Sequence, residues 1–265
     1  MADVTVTGAG GQTFTLPFPS GQNGDLAQYL AYAITQAVDK GELQPVNYTG
    51  LPLPSAPPGV NQAVFVSASG PLILPRAVTA VIDVAQSSVL FGSGAPKETV
   101  LAGTGQMTFF TRGGSGTIVT GSGNTNVYQT GTGPWDINTG TGDDRISIAG
   151  GANTVSAGTG RNEILLAGGN NLVSSTGDDL IQVLTGADTV VASGSSPVHV
   201  EGVKAAITFI GGSGVATVTA GAGTETVFAS GGGYFRGGTA GNNLILGGDG
   251  PTTIVGGGGG DTLFA

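Results

Sequence analysis

Two pairs of adjacent carboxylates carry the side chains that best suit catalysis in this sequence. Asp143 with Asp144, and Asp178 with Asp179, could supply the acid and the base of a glycosidase or a polysaccharide lyase. His199 is the single histidine, and the motifs G-x-S-x-G, G-K-[ST] and H-E-x-x-H do not occur. Because both acid pairs fall at the turn of a repeat, we assign no catalytic residue and expect no enzyme. A solenoid lyase or epimerase-like activity is the remote alternative.

A nine-residue repeat must position these acids. Its clearest copy, Gly256–Phe264, reads G-G-G-G-G-D-T-L-F and fits the nonapeptide G-G-x-G-x-D-x-U-x, in which U is a large apolar residue. Upstream of Leu263 the stride continues, with slips of about one residue, to Phe109. Its first seven steps land on Ile254, Ile245, Arg236, Val227, Val218, Phe209 and Val200, and only Arg236 is not apolar.

The repeat predicts an all-β fold, a parallel β-solenoid. Glycines supply the turns, and the apolar residue of each short strand points inward onto its counterparts in the neighbouring turns. Burial of each large apolar side chain contributes roughly 1.5 to 3 kcal/mol. Each glycine costs about 0.5 to 1 kcal/mol of backbone entropy. Only a stack of many repeats is therefore stable, and we expect one cooperative body.

This pattern resembles the RTX (repeats-in-toxin, haemolysin-type) β-roll of proteins that bacterial type I systems export. The resemblance covers roughly residues 100–265 and is most specific at Gly256–Phe264, Thr139–Ser147 and Ser174–Gln182. In that family, the sixth-position aspartate and nearby turn carbonyls hold Ca²⁺ between consecutive turns. Elsewhere in this chain the glycines and the apolar residue persist, while the aspartate is often replaced.

The resemblance implies Ca²⁺ ligands at the sixth repeat positions, with partners on one edge about eighteen residues apart. The implied groups are Asp144 with Asn162 and Asp179, Asn153 and Asn171 with Asp188, and Glu225 with Asn243 and Asp261. Because amides mix with the carboxylates, the charge of each group is low, and we expect few or weak Ca²⁺ sites. In the alternative interpretation, the Asn and Thr side chains form turn and ladder hydrogen bonds without a metal.

The first part of the chain lacks the regular glycine repeat. Residues 1–88 predict a small N-terminal α+β cap, and 89–265 form the repeat domain. One or two strands are expected over about 3–18, and five prolines within about 43–61 predict an extended linker. The chain therefore divides into a cap region and a solenoid.

One helix is expected within the cap region. Asn23 or Asp25 could cap its start, an apolar stripe follows at helical spacing, and Gly41 ends it. Two further strands are expected over 63–67 and 78–84. We expect the helix to cover the first turns of the solenoid, and binding of a partner is the alternative.

Composition and charge exclude several classes of partner. The net charge is −9 with 8 Lys and Arg in 265 residues, which argues against nucleic acid and against an anionic membrane surface. The chain has no cysteine and no apolar stretch long enough to span a bilayer. Because no cleavable signal peptide is visible, we expect a type I-like route to the bacterial cell surface or the extracellular space.

The last repeat suggests how the protein is used. A final turn with unpaired strand groups and an apolar edge must be covered, and Gly256, Asp261, Leu263, Phe264 and Ala265 form this edge. We expect the start of a further copy to stack on it head to tail, which builds an open polymer. The predicted function is a secreted, self-assembling structural protein of a cell-surface layer, an extracellular filament or a biofilm matrix.

A binding module is the alternative function, either a calcium-dependent adhesin or a protein that binds cell-surface polysaccharide. Such a face should present exposed aromatic rings, and the candidates are Tyr128, Trp135, Tyr234 and Phe235. Threonine arrays on solenoids can also bind ice, but charged residues in the threonine-bearing turns disfavour that function here.

Overall fold

The chain forms two compact units, and each is a parallel β-solenoid. A computed structural model describes residues 2–265, except for the side chain of Ala2. The first unit ends at Gly142 and the second is Asp143–Ala265. The predicted all-β solenoid with a small N-terminal cap is confirmed, and the part of the chain that the structure describes contains one α-helix.

The first unit opens with an antiparallel strand pair and that helix. β1 (Ala2–Thr7) and β2 (Thr13–Phe18) flank a short 3-10 turn at Ala9–Gly11. α1 (Gln22–Asp39) follows, and Gly41 ends it with a φ of +73°. Among the described residues, no helix combines the length and the apolarity that a membrane crossing requires.

The predicted helix cap is wrong. Gly21 occupies the N-cap position and makes no side-chain capping bond. Asn23 lies inside the first turn of the helix, and its Nδ2 donates to the carbonyl oxygen of Thr139 at 2.6 Å. The amide that sequence suggests as a cap therefore fixes the helix to a strand end of the same unit.

Ten parallel strands complete the first unit. In chain order they are β3 (Leu43–Tyr48), β4 (Asn61–Val66), β5 (Gly70–Ile73), β6 (Val78–Asp83), β7 (Ser87–Phe91), β8 (Glu98–Ala102), β9 (Gln106–Phe110), β10 (Gly116–Thr120), β11 (Thr125–Gln129) and β12 (Trp135–Asn138). One sheet has the order β12-β10-β8-β6-β4-β3 and the other β11-β9-β7-β5. One strand from each sheet makes a turn of the solenoid, which we call a rung.

Parallel pairing places equivalent residues of successive rungs in columns. Val100 of β8 pairs with Ile118 of β10, which pairs with Ile137 of β12. All three are fully buried, because inward side chains are covered by the rungs on both sides. The predicted strands over 63–67 and 78–84 are confirmed as β4 and β6.

The helix and the strand pair pack on the outer face of the first sheet. The apolar cluster between them contains Val4, Val6, Phe14, Leu16, Phe18, Ala27, Ala31 and Ile34 from the cap, and Ala63, Phe65, Ala80, Ile82, Leu101 and Val119 from the sheet. Strands β4, β6, β8 and β10 are consequently buried on both faces along much of their length. The cap covers the flank of the first rungs, in agreement with the role expected for the helix.

The organisation of the first 88 residues differs from the expected cap and linker. β3 lies in the proline-rich segment 43–61 and pairs with β4 over its whole length. The expected boundary near residue 88 falls within β7, which pairs with strands on either side of it. The reason is the double-sided burial. Strands covered on both faces read as continuous apolar runs, so the nonapeptide rhythm is not visible there.

The second unit consists of fourteen strands in two parallel sheets. They are β13 (Arg145–Ile148), β14 (Thr154–Ser156), β15 (Glu163–Leu166), β16 (Leu172–Ser175), β17 (Asp179–Val183), β18 (Ala187–Ala192), β19 (Val198–Gly202), β20 (Ala206–Ile210), β21 (Ala216–Thr219), β22 (Glu225–Phe228), β23 (Gly233–Arg236), β24 (Leu244–Leu246), β25 (Thr252–Val255) and β26 (Thr262–Phe264). Within this unit, even-numbered strands form one sheet and odd-numbered strands the other. β26 and β25 are the last strands of these two sheets.

The core of the second unit follows the predicted stride with one correction. Val200 pairs with Val218, and Val218 pairs with Phe235, all fully buried. The stride had placed Arg236 inside, but Arg236 is exposed, and Phe235 is the inward residue. The repeat slips by one residue at the glycine run Gly231–Gly233, so counting in nines selects the wrong side of the strand.

Candidate functional site

The side chains that the family resemblance implies as ligands point into the solenoid. Each stands two residues before an inward apolar residue, as Asn162 does before Ile164 and Asp179 before Ile181. Residues two apart on a strand face the same side, so these polar groups also face the interior. Asp144, Asn162, Asp179, Asp188, Glu225 and Asn243 each expose 2% or less of their surface, whereas Asp261 is half-buried.

The first group forms a hydrogen-bonded ladder from rung to rung. The backbone N–H of Asp144 donates to Oδ1 of Asn162 at 3.0 Å. Nδ2 of Asn162 donates to Oδ1 of Asp179 at 2.7 Å, and the backbone N–H of Asn162 donates to the same oxygen at 3.2 Å. Oγ of Ser175 donates to the other Asp179 oxygen at 2.6 Å. Sequence reasoning missed Ser175, whose only signal is its position four residues before Asp179.

The second group repeats this geometry with Asn153, Asn171 and Asp188. Nδ2 of Asn153 donates to Oδ1 of Asn171 at 2.9 Å, and Nδ2 of Asn171 donates to Oδ1 of Asp188 at 2.7 Å. Each amide also donates to a carbonyl oxygen of its own turn, from Asn153 to Gly150 and from Asn171 to Gly168. Both hydrogens of each side-chain amide therefore have an acceptor.

The third group, Glu225 with Asn243 and Asp261, is a ladder with an unusual first member. Nδ2 of Asn243 donates to Oδ1 of Asp261 at 2.7 Å and to the Gly238 carbonyl oxygen at 2.9 Å. The backbone N–H of Glu225 donates to Oδ1 of Asn243 at 2.9 Å. Both carboxyl oxygens of Glu225 are buried without a hydrogen-bond partner among the described atoms.

An aspartate ends each ladder for a physical reason. The residue one rung after Asp179 is Val198, and the residue one rung after Asp188 is Ile207. An asparagine at these positions would direct an N–H at an apolar side chain, where no acceptor exists. A carboxylate accepts the two N–H groups of the preceding rung and needs no further acceptor. Hydrogen-bond direction thus explains why Asp179 and Asp188, rather than asparagines, end the first two ladders.

Burial controls the ionisation of these acids. Burial raises the pKa of Asp179 and of Asp188, and the hydrogen bonds that they accept oppose this shift. Burial raises the pKa of Glu225 to about 8, because no hydrogen bond opposes it. Glu225 is therefore mostly protonated at neutral pH, and the interior of its rung carries no full charge there.

The ladders do not fit Ca²⁺ as ligand sets. The cation takes roughly six to eight oxygen ligands at 2.3 to 2.6 Å, whereas Asp179, Asp188 and Asp261 each accept a side-chain amide N–H group. Among the described residues, no three His, Cys, Asp or Glu side chains converge closely enough to hold a metal ion. The alternative interpretation, ladder hydrogen bonds without a metal, describes these side chains. Binding of Ca²⁺ by this protein stays a prediction.

The two acid pairs do not form catalytic dyads. Asp178 is exposed and Asp179 is buried, because neighbours on an extended strand point to opposite sides. Asp143 lies outside and accepts the backbone N–H of Arg161 at 2.8 Å, whereas Asp144 is buried. A shared acid–base site needs both carboxyl groups in one cleft. The geometry therefore offers no support for the lyase alternative at these acids.

The lone histidine has a local partner. Nε2 of His199 lies 2.9 Å from Oε1 of Glu201, and Nε2 of Gln182 donates to the other oxygen at 3.1 Å. The hydrogen bonds from Gln182 and His199 lower the pKa of Glu201. All three side chains lie on an outer strand face, so this cluster is a surface hydrogen-bond group.

The aromatic candidates divide into buried and exposed rings. Trp135 and Phe235 are buried and cannot form a binding face, so these two predictions are wrong. Tyr128 is half-buried and stacks on Phe110 with ring centroids 4.9 Å apart. Tyr234 is 38% exposed. Whether each ring is buried or exposed depends on whether its residue faces inward or outward on the strand. A shift of the strand by one residue reverses this, and the sequence does not determine the register that precisely.

Tyr234 borders a surface groove of about 740 Å³ in the second unit. Val215 and Pro251 supply apolar walls, and Asp249 supplies a carboxylate. The groove exists because the intervening turn, Gly231–Gly233, has no side chains to fill it. Ser213, Thr217 and Ser230 add hydroxyl groups.

The last strands leave an open rung. Leu263, the inward residue of β26, is 42% exposed, whereas Phe264 and Val255, which are 62% and 42% exposed, face outward. One rung earlier, the inward residues Ile245 and Phe235 are fully buried. The difference arises because no further rung among the described residues covers β26. The predicted edge of the last repeat is thus an exposed apolar strand edge.

Comparison with known proteins adds no family assignment. No protein-family model, no curated protein and no solved structure matches this chain. The fold of both units, parallel β-solenoids consistent with a β-roll, follows from their own strand pairing.

Proposed function

We propose that this protein is a structural component that assembles with further copies of itself. The observation that supports this function is the rung-on-rung stacking, because parallel strands with buried apolar columns repeat along both units. Parallel sheets of this kind extend by adding further strands at their edges.

The rest of the molecule suits a load-bearing role. Columns of buried apolar side chains run from rung to rung, and the three polar ladders add short hydrogen bonds between some of the rungs. Repeat proteins of this kind gain stability from each neighbour that is added. A scaffold protein would depend on these connections between rungs.

We further infer an RTX-like β-roll that has lost much of its sixth-position aspartate pattern, and a place of use outside the cell. The nonapeptide at Gly256–Phe264 and the net charge of −9 support this assignment. A cell-surface layer, an extracellular fibre or a biofilm matrix would employ such a repeat. Export by a type I-like route follows from the same resemblance.

Negative-stain electron microscopy and sedimentation velocity of one preparation, split between Ca²⁺ and a chelator, test this function. We expect particles that contain two or more copies, at a fraction that rises with protein concentration, in both aliquots. Particles of a single copy at every concentration would refute self-assembly. Assemblies in the Ca²⁺ aliquot alone would show that a metal joins the copies.

A polysaccharide-binding module is the second candidate, and the groove beside Tyr234 favours it. Ligand sites combine apolar walls with a few polar groups, and a sugar ring pairs an apolar face with hydroxyl groups. Tyr234, Asp249 and Ser230 offer these partners. A glycan array with the wild type and with Tyr234→Ala tests this function, and Tyr128→Ala is the control. Equal signals from all three proteins would exclude the groove.

A further inference from the structure

We infer that the groove between β1 and α1 binds an extended, basic peptide segment of another protein, which adds a third strand to the antiparallel pair β1–β2. This inference goes beyond the proposed self-assembly and does not depend on it. Three observations carry it: the direction of the backbone groups along β1, the shape of the groove, and the charge at one of its ends.

The pairing of β1 with β2 determines which backbone groups of β1 are free. The Gly8 N–H, directly after β1, donates to the Gln12 carbonyl oxygen at 2.7 Å, directly before β2. Hydrogen-bonded and non-hydrogen-bonded pairs alternate along an antiparallel ladder. The N–H and carbonyl groups of Asp3, Thr5 and Thr7 therefore point away from β2, along the side of β1.

Two further contacts agree with this direction. Pro17 lies opposite Asp3, at a position where the ladder requires no N–H from β2. The Thr7 N–H donates to Oγ1 of Thr35 on α1 at 3.4 Å, so the free side of β1 faces the helix. Of the strands that the structure describes, β2 alone pairs with β1. The backbone groups of Asp3 and Thr5 are therefore available to a further strand on the helix side.

A groove of about 350 Å³ lies on this side of β1. Asp3 and Thr5 line it from the strand, and Gln28 and Tyr32 line it from α1. Tyr32 is 65% exposed, so its ring is accessible to an incoming side chain. In strand addition, main-chain hydrogen bonds supply affinity and side-chain contacts supply specificity. Because the helix forms the second wall, the groove suits one extended chain and excludes the edge of a whole sheet.

The charge of the groove indicates the chemistry of the occupant. Asp3 is the charged residue of its lining, which contains no basic residue. Asp25 lies one helical turn before Gln28, and residues three apart share a helix face. Asp3 and Asp25 are both exposed. A peptide with Lys or Arg beside Asp3 therefore complements this end of the groove.

A second copy of this chain is a poor occupant. Its exposed extended segment, residues 49–60, contains four prolines and no Lys or Arg. Proline has no N–H and disfavours strand pairing. The occupant is therefore a segment of a different protein.

Panning of a phage library of random heptapeptides against the full chain tests the inference. We expect enriched peptides to carry Lys or Arg and to lack proline at alternate positions. Thr5→Pro removes an N–H on the free side and keeps the bonds to β2, so it should weaken binding of these peptides by roughly tenfold or more. Thr15→Pro is the matched control and should bind as the wild type does, because Thr15 lies opposite Thr5 and its groups point to the other edge of the pair.

Asp3→Lys gives a second test that introduces no proline. Panning against this variant should enrich acidic peptides in place of basic ones, whereas Asp178→Lys, at an exposed aspartate of the second unit, should still enrich basic ones. No enrichment over an uncoated surface, or equal binding of the enriched peptides by the wild type, Thr5→Pro and Asp3→Lys, would overturn the inference. An enriched peptide that abolishes self-association in sedimentation velocity would overturn the different-protein partner and make a second copy the occupant.

Discussion

Nδ2 and the backbone N–H of Asn171 both donate to one oxygen of Asp188, Oδ1, at 2.7 Å each. The two residues stand on successive rungs and are buried. Each hydrogen bond to a buried carboxylate is stronger than a neutral one, and loss of a partner leaves a buried acceptor unsatisfied. This contact couples neighbouring rungs inside the solenoid.

Asn171→Asp should destabilise the second unit. The new carboxylate has no N–H to donate and faces Oδ1 of Asp188, so a hydrogen bond becomes a repulsion. We expect the free energy of unfolding in urea at pH 7 to fall by roughly 2 to 4 kcal/mol. The loss should shrink on acidification, because a protonated carboxyl group donates again.

The neighbouring Asn170→Asp is the matched control. Asn170 is exposed, and its Oδ1 accepts the Ala187 N–H at 3.2 Å, a bond that a carboxylate keeps. We expect a change within about 0.5 kcal/mol. Equal losses in the two variants would contradict the role of the buried ladder.

Glu225 should make the protein less stable as pH rises. Burial raises the pKa of Glu225 from its ordinary 4.5 to about 8, so the folded state holds the proton more tightly than the unfolded state does. This contribution is complete below pH 4.5 and is lost as pH rises through 8. Each unit of pKa difference corresponds to about 1.4 kcal/mol. Thermal unfolding of the wild type between pH 5 and 9 should show the decline.

Glu225→Gln should flatten this pH dependence, because the amide does not titrate. Part of the decline will remain, since burial also raises the pKa of Asp83 to about 6 and that of Glu98 to about 7. The exposed Asp249→Asn is the control and should keep the wild-type slope. An unchanged slope in Glu225→Gln would show that Glu225 is ionised in the folded protein.

Gly223→Ala should disrupt the stacking of two rungs. A Cβ atom at Gly223 would lie 1.7 Å from the carbonyl oxygen of Ala205, so the backbone must move. Overpacking of this kind costs roughly 1 to 3 kcal/mol or more. Gly260→Ala is the control, because its Cβ would meet Asn242 at an ordinary 3.5 Å. Urea unfolding that gives the same midpoint for both variants would contradict this close approach.

Calcium should leave the ladders unchanged. Because Asp179 and Asp188 face amide N–H groups, we expect the melting temperature to be the same with Ca²⁺ and with a chelator. The cation would be placed at this ladder by a melting temperature that rises on addition of Ca²⁺, rises further in Asn162→Asp and does not rise in Asp179→Asn. Calorimetric titration with Ca²⁺ measures any weak site elsewhere.

The repeat identifies the solenoid and the columns because its period is long and regular. The family resemblance implies the groups Asp144–Asn162–Asp179 and Asn153–Asn171–Asp188, and parallel pairing brings their equivalent positions together. Their chemistry does not follow from spacing. Whether a sixth-position acid faces a cation or an amide depends on the direction of one side chain, and the family resemblance favours the cation.

Local slips explain the other differences. The repeat is one residue shorter across Gly231–Gly233, between Val227 and Phe235, which exchanges Phe235 for Arg236 in the core. Strand β3 was not predicted because Pro45 and its neighbours resemble a linker, although proline is tolerated on the free side of an edge strand. α1 packs on the outer face of the first strands, so both faces of these strands are apolar and the repeat period is not visible in their sequence. No local sequence feature indicates this packing.

Sedimentation equilibrium of the wild type over a wide range of protein concentrations tests the central claim most directly. We predict reversible association, so the apparent mass should rise with concentration to that of two or more copies. The mass of a single copy at every concentration would contradict self-assembly.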